Sequence, residues 1–243
     1  MSRDQRAGMT TREQTLQQAK DVIARGERDA AIALLRPIAT AGDPDALFML
    51  GSRFFSDLDL VPIDEALRLL ARAAEAGHAE AAYELALFRS ADEGQLEYGP
   101  PESEQEVGLL IRAGELGSAD AQYDLGALYA TGDWVGPKDA VEARRWYLKA
   151  AEQGHGGAQF NLGDMYLVGE GGSVDTAEGL RWLEAAAAQD EPQALRHLEY
   201  IHREGSHGVP VDVTKADEYR RRQDALPDRF RGATDEQTES DDD

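Results

Sequence analysis

Histidines and carboxylates are the first candidates for chemistry in this sequence. Glu199 and His202 have the Glu-x-x-His spacing that places both side chains on one helix face, and His197 is close by. Carboxylate-bridged metal sites in helix bundles need two such motifs and further glutamates, and no second copy here has suitable surroundings. His78 and His155 occupy equivalent places just after a helix end, which favours a structural role. We therefore predict no metal site.

The glycine-rich stretches do not match nucleotide-binding motifs. Gly169-Glu170-Gly171-Gly172 follows a predicted helix rather than a strand, and the stretch 136–139 lacks the remaining glycines of a phosphate loop. No Gly-x-Ser-x-Gly motif occurs, and a chain with 0 Cys has no thiol nucleophile. We predict a protein that is not an enzyme and that binds no cofactor.

The elements that would position any site are helix pairs that repeat along the chain. In the stretch Asp120–His155, apolar residues at helical spacing form two helices, with a glycine-containing turn between them and Gly154 after the second. A leucine equivalent to Leu125 recurs about every 36 residues, and an alanine always stands four residues before it. The five alanine and leucine pairs are Ala46/Leu50, Ala81/Leu85, Ala121/Leu125, Ala158/Leu162 and Ala194/Leu198. A period of this kind indicates an α-solenoid.

The stretch from Ala158 to Tyr166, AQFNLGDMY, followed by Gly169-Glu170-Gly171, resembles a Sel-one-like repeat (SLR), a relative of the tetratricopeptide repeat (TPR). The repeats around Leu50, Leu125 and Leu162 match well, and those around Leu85 and Leu198 are degenerate. The resemblance implies an all-α fold, a right-handed superhelix whose first helices line a concave surface that binds other proteins.

The repeats define the predicted domain organisation. Residues 1–11 are predicted to be disordered, 12–42 to form a TPR-like capping hairpin, 43–226 to form an SLR solenoid of about five repeats, and 227–243 to form a disordered acidic tail. Asp43 is the expected N-cap of the first full repeat, with Pro44 at the first helical position.

The first two full repeats have irregular connections. The first helix of the first repeat is predicted at about Pro44–Ser56, and that of the second repeat at about Ala79–Ala91. The long loop Asp92–Ser103 follows, and it is either sequence drift or a functional insertion.

Composition limits the classes of partner. The net charge of −22 disfavours binding to a phosphate backbone, which needs clustered Lys and Arg. The charge serves either solubility or attraction to a cationic partner surface. Without cysteine, an apolar leader or a stretch of membrane-spanning length, we expect a soluble, monomeric, cytoplasmic protein that binds neither nucleic acid nor membrane.

One face of the first helices is a candidate partner-binding surface. With the reference leucine as position seven, positions two, five and nine lie opposite the packed stripe. Aromatic residues recur at position five and carboxylates at position two, an arrangement that suits a protein or peptide carrying Lys or Arg. The predicted partner-binding residues are Asp45, Phe48, Glu80, Tyr83, Asp120, Tyr123, Phe160, Asp164 and Tyr200. Alternatively, the aromatic residues pack between neighbouring helices and the carboxylates form a solvated surface.

Two functional hypotheses follow from this surface. The first is a non-enzymatic scaffold or adaptor that binds a partner peptide or helix on its concave face. The second is a cytoplasmic immunity or inhibitor-type protein, or a nucleic-acid mimic, that blocks a basic surface. The salt dependence of the binding affinity distinguishes the two hypotheses. Binding by charge alone weakens steeply with ionic strength, whereas an aromatic groove retains much of its affinity.

Overall fold

A computed structural model describes residues 10–52, 60–90, 96–98, 104–132 and 136–227. In these ranges the chain is mainly helical, with one short hairpin. The helices are α1 (Thr11–Ala24), α2 (Arg28–Thr40), α3 (Pro44–Gly51), α4 (Ile63–Glu75), α5 (Ala79–Leu87), α6 (Glu104–Leu116), α7 (Ala119–Thr131), α8 (Ala140–Glu152), α9 (Gly156–Val168), α10 (Thr176–Ala188), α11 (Pro192–Glu204) and α12 (Val213–Asp224). Strands β1 (Phe88–Ser90) and β2 (Leu96–Tyr98) pair antiparallel, with Arg89 opposite Glu97.

The helices pack as consecutive antiparallel neighbours in two compact units, Met1–Gln122 and Tyr123–Asp243, and the boundary falls inside α7. The first unit stacks α1 to α6, and the second stacks α8 to α12 after the larger part of α7. Helix pairs that contact their neighbours in sequence order are the hallmark of a solenoid. The predicted fold class, an all-α solenoid of SLR/TPR-like helix pairs, is confirmed.

Side chains at the helix N-termini explain where many of the helices begin. Thr10 and Glu13 form a capping box at the start of α1. The carboxylate of Asp43 accepts a hydrogen bond of 2.9 Å from the Ala46 N–H, with Pro44 at the first position of α3, as predicted. Second helices of the second unit start at aspartates, such as Asp175 before α10.

The core is a stripe of alanine and leucine on the first helices, packed against the second helices. All five predicted alanines are fully buried, and so are the leucines of α3, α7, α9 and α11. Leu85 is the exception, because it is only half-buried while Glu84 and Ala86 are buried instead. This repeat is also the one in which the hairpin directly follows the first helix.

Two helix ends differ from the prediction. Helix α3 ends at Gly51 rather than Ser56, because Ser52 takes an extended conformation. Helix α5 ends at Leu87 rather than Ala91, because Phe88 is extended and begins β1. The predicted loop 92–103 therefore contains a strand at 96–98, and its other residues lie outside the described ranges.

The termini bear on the predicted domain boundaries. Helix α1 begins at Thr11 with Thr10 as its N-cap, so the last two residues of the stretch 1–11 belong to the helix and its cap. Residues 1–9 and 228–243 lie outside the described ranges. The hairpin α1–α2 contacts the first full repeat through Arg28, whose guanidinium donates to the Leu60 carbonyl, and through an Arg36–Glu65 ion pair. Its capping role remains a prediction.

Candidate interaction surface

The aromatic residues at position five lie where one repeat meets the next, a place that we call the repeat junction. Phe48 stacks on His78 with ring centroids 4.3 Å apart, and Tyr123 stacks on His155 at 4.4 Å. Both histidines are N-caps of the next first helix. Their Nδ1 atoms accept hydrogen bonds from the N–H groups of Ala81 (3.2 Å) and Ala158 (3.1 Å).

Among the aromatic residues at position five, which we call the aromatic row, Tyr123 contacts two further residues of the second unit. Its ring lies 5.8 Å from the Tyr147 ring, and it covers Gly157 so closely that a β-carbon there would lie 3.2 Å from a ring carbon. Tyr123 is nevertheless only half-buried, like Phe48, Tyr83 and Phe160. Phe48, Tyr123 and Phe160 therefore contact the next repeat and still keep solvent-accessible surface.

The last junction of the row has a different geometry. Phe160 meets His197 edge-on at 6.2 Å, and His197 Nδ1 lies 3.7 Å from the Asp164 carboxylate. Asp164 keeps 45% of its side chain exposed. Tyr200, at position nine of α11, is 57% exposed. Here the predicted residues reach further into solvent than the stacked pairs do.

The carboxylates at position two contact neighbouring side chains in the first unit. Asp45 forms an ion pair with Arg12 Nη2 at 2.5 Å and lies 3.5 Å from His78 Nε2. Glu80 accepts a hydrogen bond of 3.2 Å from the Ser118 hydroxyl, and Asp120 is exposed. Asp45 and Glu80 therefore bridge repeats as well as contributing to the charge of the surface.

Burial and neighbouring charges shift the pKa of several groups at the junctions. Burial lowers the pKa of His78, although Asp45 and Asp43 oppose the shift. Burial also raises the pKa of Glu80, and the nearby Asp120 charge adds to that increase. Burial lowers the pKa of His197, with Asp164 opposing and His207 reinforcing the change.

Sequence reasoning missed the residues that hold this row in place. Arg12 occupies position two of α1 and pairs with Asp43 as well as Asp45. His78 and His155 were recognised as structural, but not as caps that stack on aromatic rings. Their signal is the recurrence of histidine two residues before position two of the next first helix.

Nothing in the described ranges brings histidines and carboxylates together as a set of three that could ligate a metal ion. Among the same residues, no helix combines the length and the apolar character needed to cross a membrane.

The helix pairs and their consecutive packing define an α-solenoid of the helical-repeat class. The model of the Sel1 repeat matches residues 44–78, 119–155, 157–191 and 192–219, which together exceed half of the chain. The chain therefore belongs to the Sel1 repeat family, as the resemblance implied. Residues 79–118, which contain the irregular second repeat and its hairpin, lie outside the matches.

Solved structures agree with this assignment. A Sel1 repeat protein from Oxalobacter formigenes is 24% identical, with a TM-score of 0.69 and 87% of both chains covered. A protective antigen of uropathogenic Escherichia coli strains, which displays an SLR fold, is 30% identical with a TM-score of 0.65; the match covers 79% of this chain and 40% of the antigen. An immunity protein from Pseudomonas aeruginosa is 19% identical with a TM-score of 0.48 over 81% of this chain and 72% of its own, a likeness that carries no functional argument. No curated protein matches the chain.

Proposed function

We propose that this protein is a non-enzymatic scaffold or adaptor that binds a protein or peptide carrying Lys or Arg on the face formed by its first helices. Sel1 repeat proteins are generally protein-interaction scaffolds without catalytic activity. What the experiments below test is that the partner binds on the face of the first helices and that it carries positive charge.

The observation that carries the proposal is the contact made by Arg12. Its guanidinium bridges the carboxylates of Asp43 and Asp45, next to the stacked pair of Phe48 and His78. An arginine of the chain thus binds to carboxylates beside an aromatic ring on this face. Guanidinium groups favour such sites, because they bind carboxylates through several donors and stack on rings.

The same residue types recur further along the chain, where position two of the preceding first helix is occupied by Asp45 or Glu80 and not by an arginine. Glu80 and Asp120 stand at position two of their helices, and Tyr83 stands at position five. In the second unit, Asp164 and Tyr200 are the more exposed of the predicted residues. We assign the partner contacts to these residues together with Tyr123 and Phe160.

The proposal includes a monomeric protein in the cytoplasm that binds neither nucleic acid nor membrane. The net charge of −22 opposes binding to phosphate backbones and to anionic lipid surfaces. The absence of cysteine fits a compartment in which disulfides are rare.

A random peptide display library selected on the immobilised full-length chain tests the proposal. We expect the selected peptides to be enriched in Arg and Lys, and Asp120→Lys to weaken their binding. The matched control is Glu152→Lys, which makes the same charge change at an exposed site on α8, a second helix. Selected peptides without cationic enrichment, or equal losses in both variants, would contradict the proposal.

Tyr123→Ala tests the aromatic part of the surface with the same peptides. We expect their affinity to fall by about 1–3 kcal/mol, the range of an ordinary hot-spot residue. The inhibitor or nucleic-acid mimic is the alternative that the charge suggests. Its binding would collapse with added salt and would change little in Tyr123→Ala, because attraction between exposed charges is screened.

A further inference from the structure

The side chain of His202 is buried in the last repeat and is not needed for the proposed function. It is 5% exposed, and neither ring nitrogen has a hydrogen-bond partner among the described residues. Its ring stacks on Tyr219 of α12, with centroids 5.9 Å apart and planes at 14°. In the two preceding repeats the equivalent residues are Tyr129 and Tyr166. An imidazole, which titrates near neutral pH, therefore replaces a phenol, which titrates at about pH 10.

Helix α12, which covers His202, buries little of its own surface. Ala216 is its one fully buried residue, whereas the equivalent helix α10 buries five. Where α10 has Leu183 and Ala187, α12 has Arg220 and Asp224. A helix with so few buried apolar groups belongs to the least stable part of a fold.

Polar contacts also attach α12, in addition to the partly buried Tyr219 and Leu226. Arg222 donates to the Ala187 carbonyl and pairs with Asp190 at 2.7 Å. Arg203 of α11 pairs with Asp217 at 2.9 Å.

Four groups determine how His202 responds to protonation. Lys215 of α12 repels a proton on the ring, whereas Asp212, the N-cap of α12, and Glu184 of α10 attract one. Tyr219, the stacking partner, is neutral. Burial outweighs the two carboxylates and lowers the pKa of His202, because the charged ring would be desolvated without a hydrogen bond.

We propose that His202 is an acid-sensitive latch, whose protonation releases α12 from α11 and exposes the apolar surface beneath it. Tyr219 of α12 packs against a buried cluster that includes Leu198 and Ile201, both 0% exposed. Once released, the imidazole is solvated and accepts a proton at its ordinary pKa of about 6.5. Below that pH the docking equilibrium weakens by up to tenfold per pH unit, until the lower pKa of the docked state is reached.

Hydrogen exchange measured by mass spectrometry on the full-length chain tests the latch. Peptides from α12 are compared with those from α9 at about pH 7.5 and pH 5, after correction for the intrinsic pH dependence of exchange. We expect protection of α12 to fall at the lower pH, by up to about thirtyfold, while α9 changes little. Equal protection of α12 at both pH values would overturn the proposal.

His202→Phe keeps an aromatic ring and removes the titration, so α12 should stay protected at both pH values. His202→Tyr introduces the residue that earlier repeats carry and serves as the second variant. The matched control is His207→Asn, which removes an exposed histidine in the adjacent loop, at a φ of 55° that asparagine tolerates. The control should behave as the wild type does. A pH response that survives in His202→Phe or disappears in His207→Asn would refute the assignment.

An NMR titration of the wild-type chain provides a test that needs no variant. The ring protons of His202 should titrate below the ordinary pKa of about 6.5, at the pH where the loss of α12 protection levels off. A levelling-off that coincides instead with the titration of another histidine would overturn the proposal.

Discussion

The two units build their repeat junctions from different chemistry. In the first unit, charged and polar side chains at position two connect neighbouring repeats, as in the Arg12–Asp45 ion pair and the Glu80–Ser118 hydrogen bond. In the second unit, position two is Gly157 in α9 and Gln193 in α11. The missing side chain at Gly157 lets the Tyr123 ring approach the helix backbone.

The comparison teaches that one backbone arrangement can be stabilised in two ways. Attraction between half-exposed charges is modest and sensitive to salt, whereas close packing of rings and backbone is stronger and insensitive to it. At the junctions between repeats, salt and pH should therefore act mainly on the first unit, and changes of volume mainly on the second. The acid response proposed for α12 is separate, because His202 and Tyr219 lie within the last repeat.

The largest effect should come from Leu125→Ala in the second unit. Leu125 is completely buried, so truncation leaves a cavity and should cost about 2–5 kcal/mol of unfolding free energy. Tyr123→Ala, two residues away, should cost clearly less, because its ring is half exposed. Urea denaturation of both variants measures the difference. Equal losses would mean that the aromatic row is core, and the partner surface would have to be sought elsewhere.

Gly163→Ala should destabilise the second unit by about 1–3 kcal/mol. A β-carbon there would lie 2.8 Å from Leu183 Cγ and 3.0 Å from the Gly179 carbonyl oxygen, and the backbone cannot yield cheaply. The matched control is Gly108→Ala on the exposed side of α6, where a β-carbon meets no atom within 4 Å. It should stabilise the chain by about 0.5–1 kcal/mol, because alanine favours helix. Chemical denaturation that gave both variants the same sign would contradict the packing argument.

His78→Asn should reduce the acid sensitivity of the first unit. Because the folded-state pKa of His78 lies below its ordinary 6.5, its stabilising contribution is complete above pH 6.5. That contribution is lost as the pH falls through the folded-state value, since protonated Nδ1 no longer accepts the Ala81 N–H. Asparagine caps without titrating, so wild type should lose about 0.5–2 kcal/mol more than the variant between about pH 7.5 and pH 5. Identical pH profiles in urea denaturation would show that the cap does not titrate.

Arg12→Ala should have the smallest effect, about 0–1 kcal/mol, because half-exposed ion pairs contribute little. The loss should be visible at low salt and should vanish at about 1 M NaCl, where charges are screened within about 3 Å. A loss that persisted in high salt would mean that the arginine stem packs against apolar surface. Denaturation curves at the two salt concentrations distinguish these outcomes.

Much of the fold could be predicted from local patterns. The alanine and leucine positions that repeat about every 36 residues are buried in four of the five repeats, and Asp43 caps α3 as expected. The irregular second repeat is different. Its apolar residues continue past Leu87, so helical spacing suggested a longer helix, whereas pairing with the stretch 96–98 ends it. Strand pairing depends on a partner on the other side of a loop, and helical periodicity contains no information about it.

The sequence by itself determined the class of this protein, because a solenoid repeats the same local contacts and each repeat records them in its own residues. It also indicated which residues occupy position two and position five of each first helix. Only the tertiary structure decided that Phe48 and Tyr123 lie on the capping histidines of the next repeat, that Arg12 holds Asp45, and that α12 covers His202. These contacts join residues 17 to 33 positions apart, but they depend on how one helix is rotated against the next. Side-chain volume and charge across the junction set that rotation, and no pattern within a single repeat contains it.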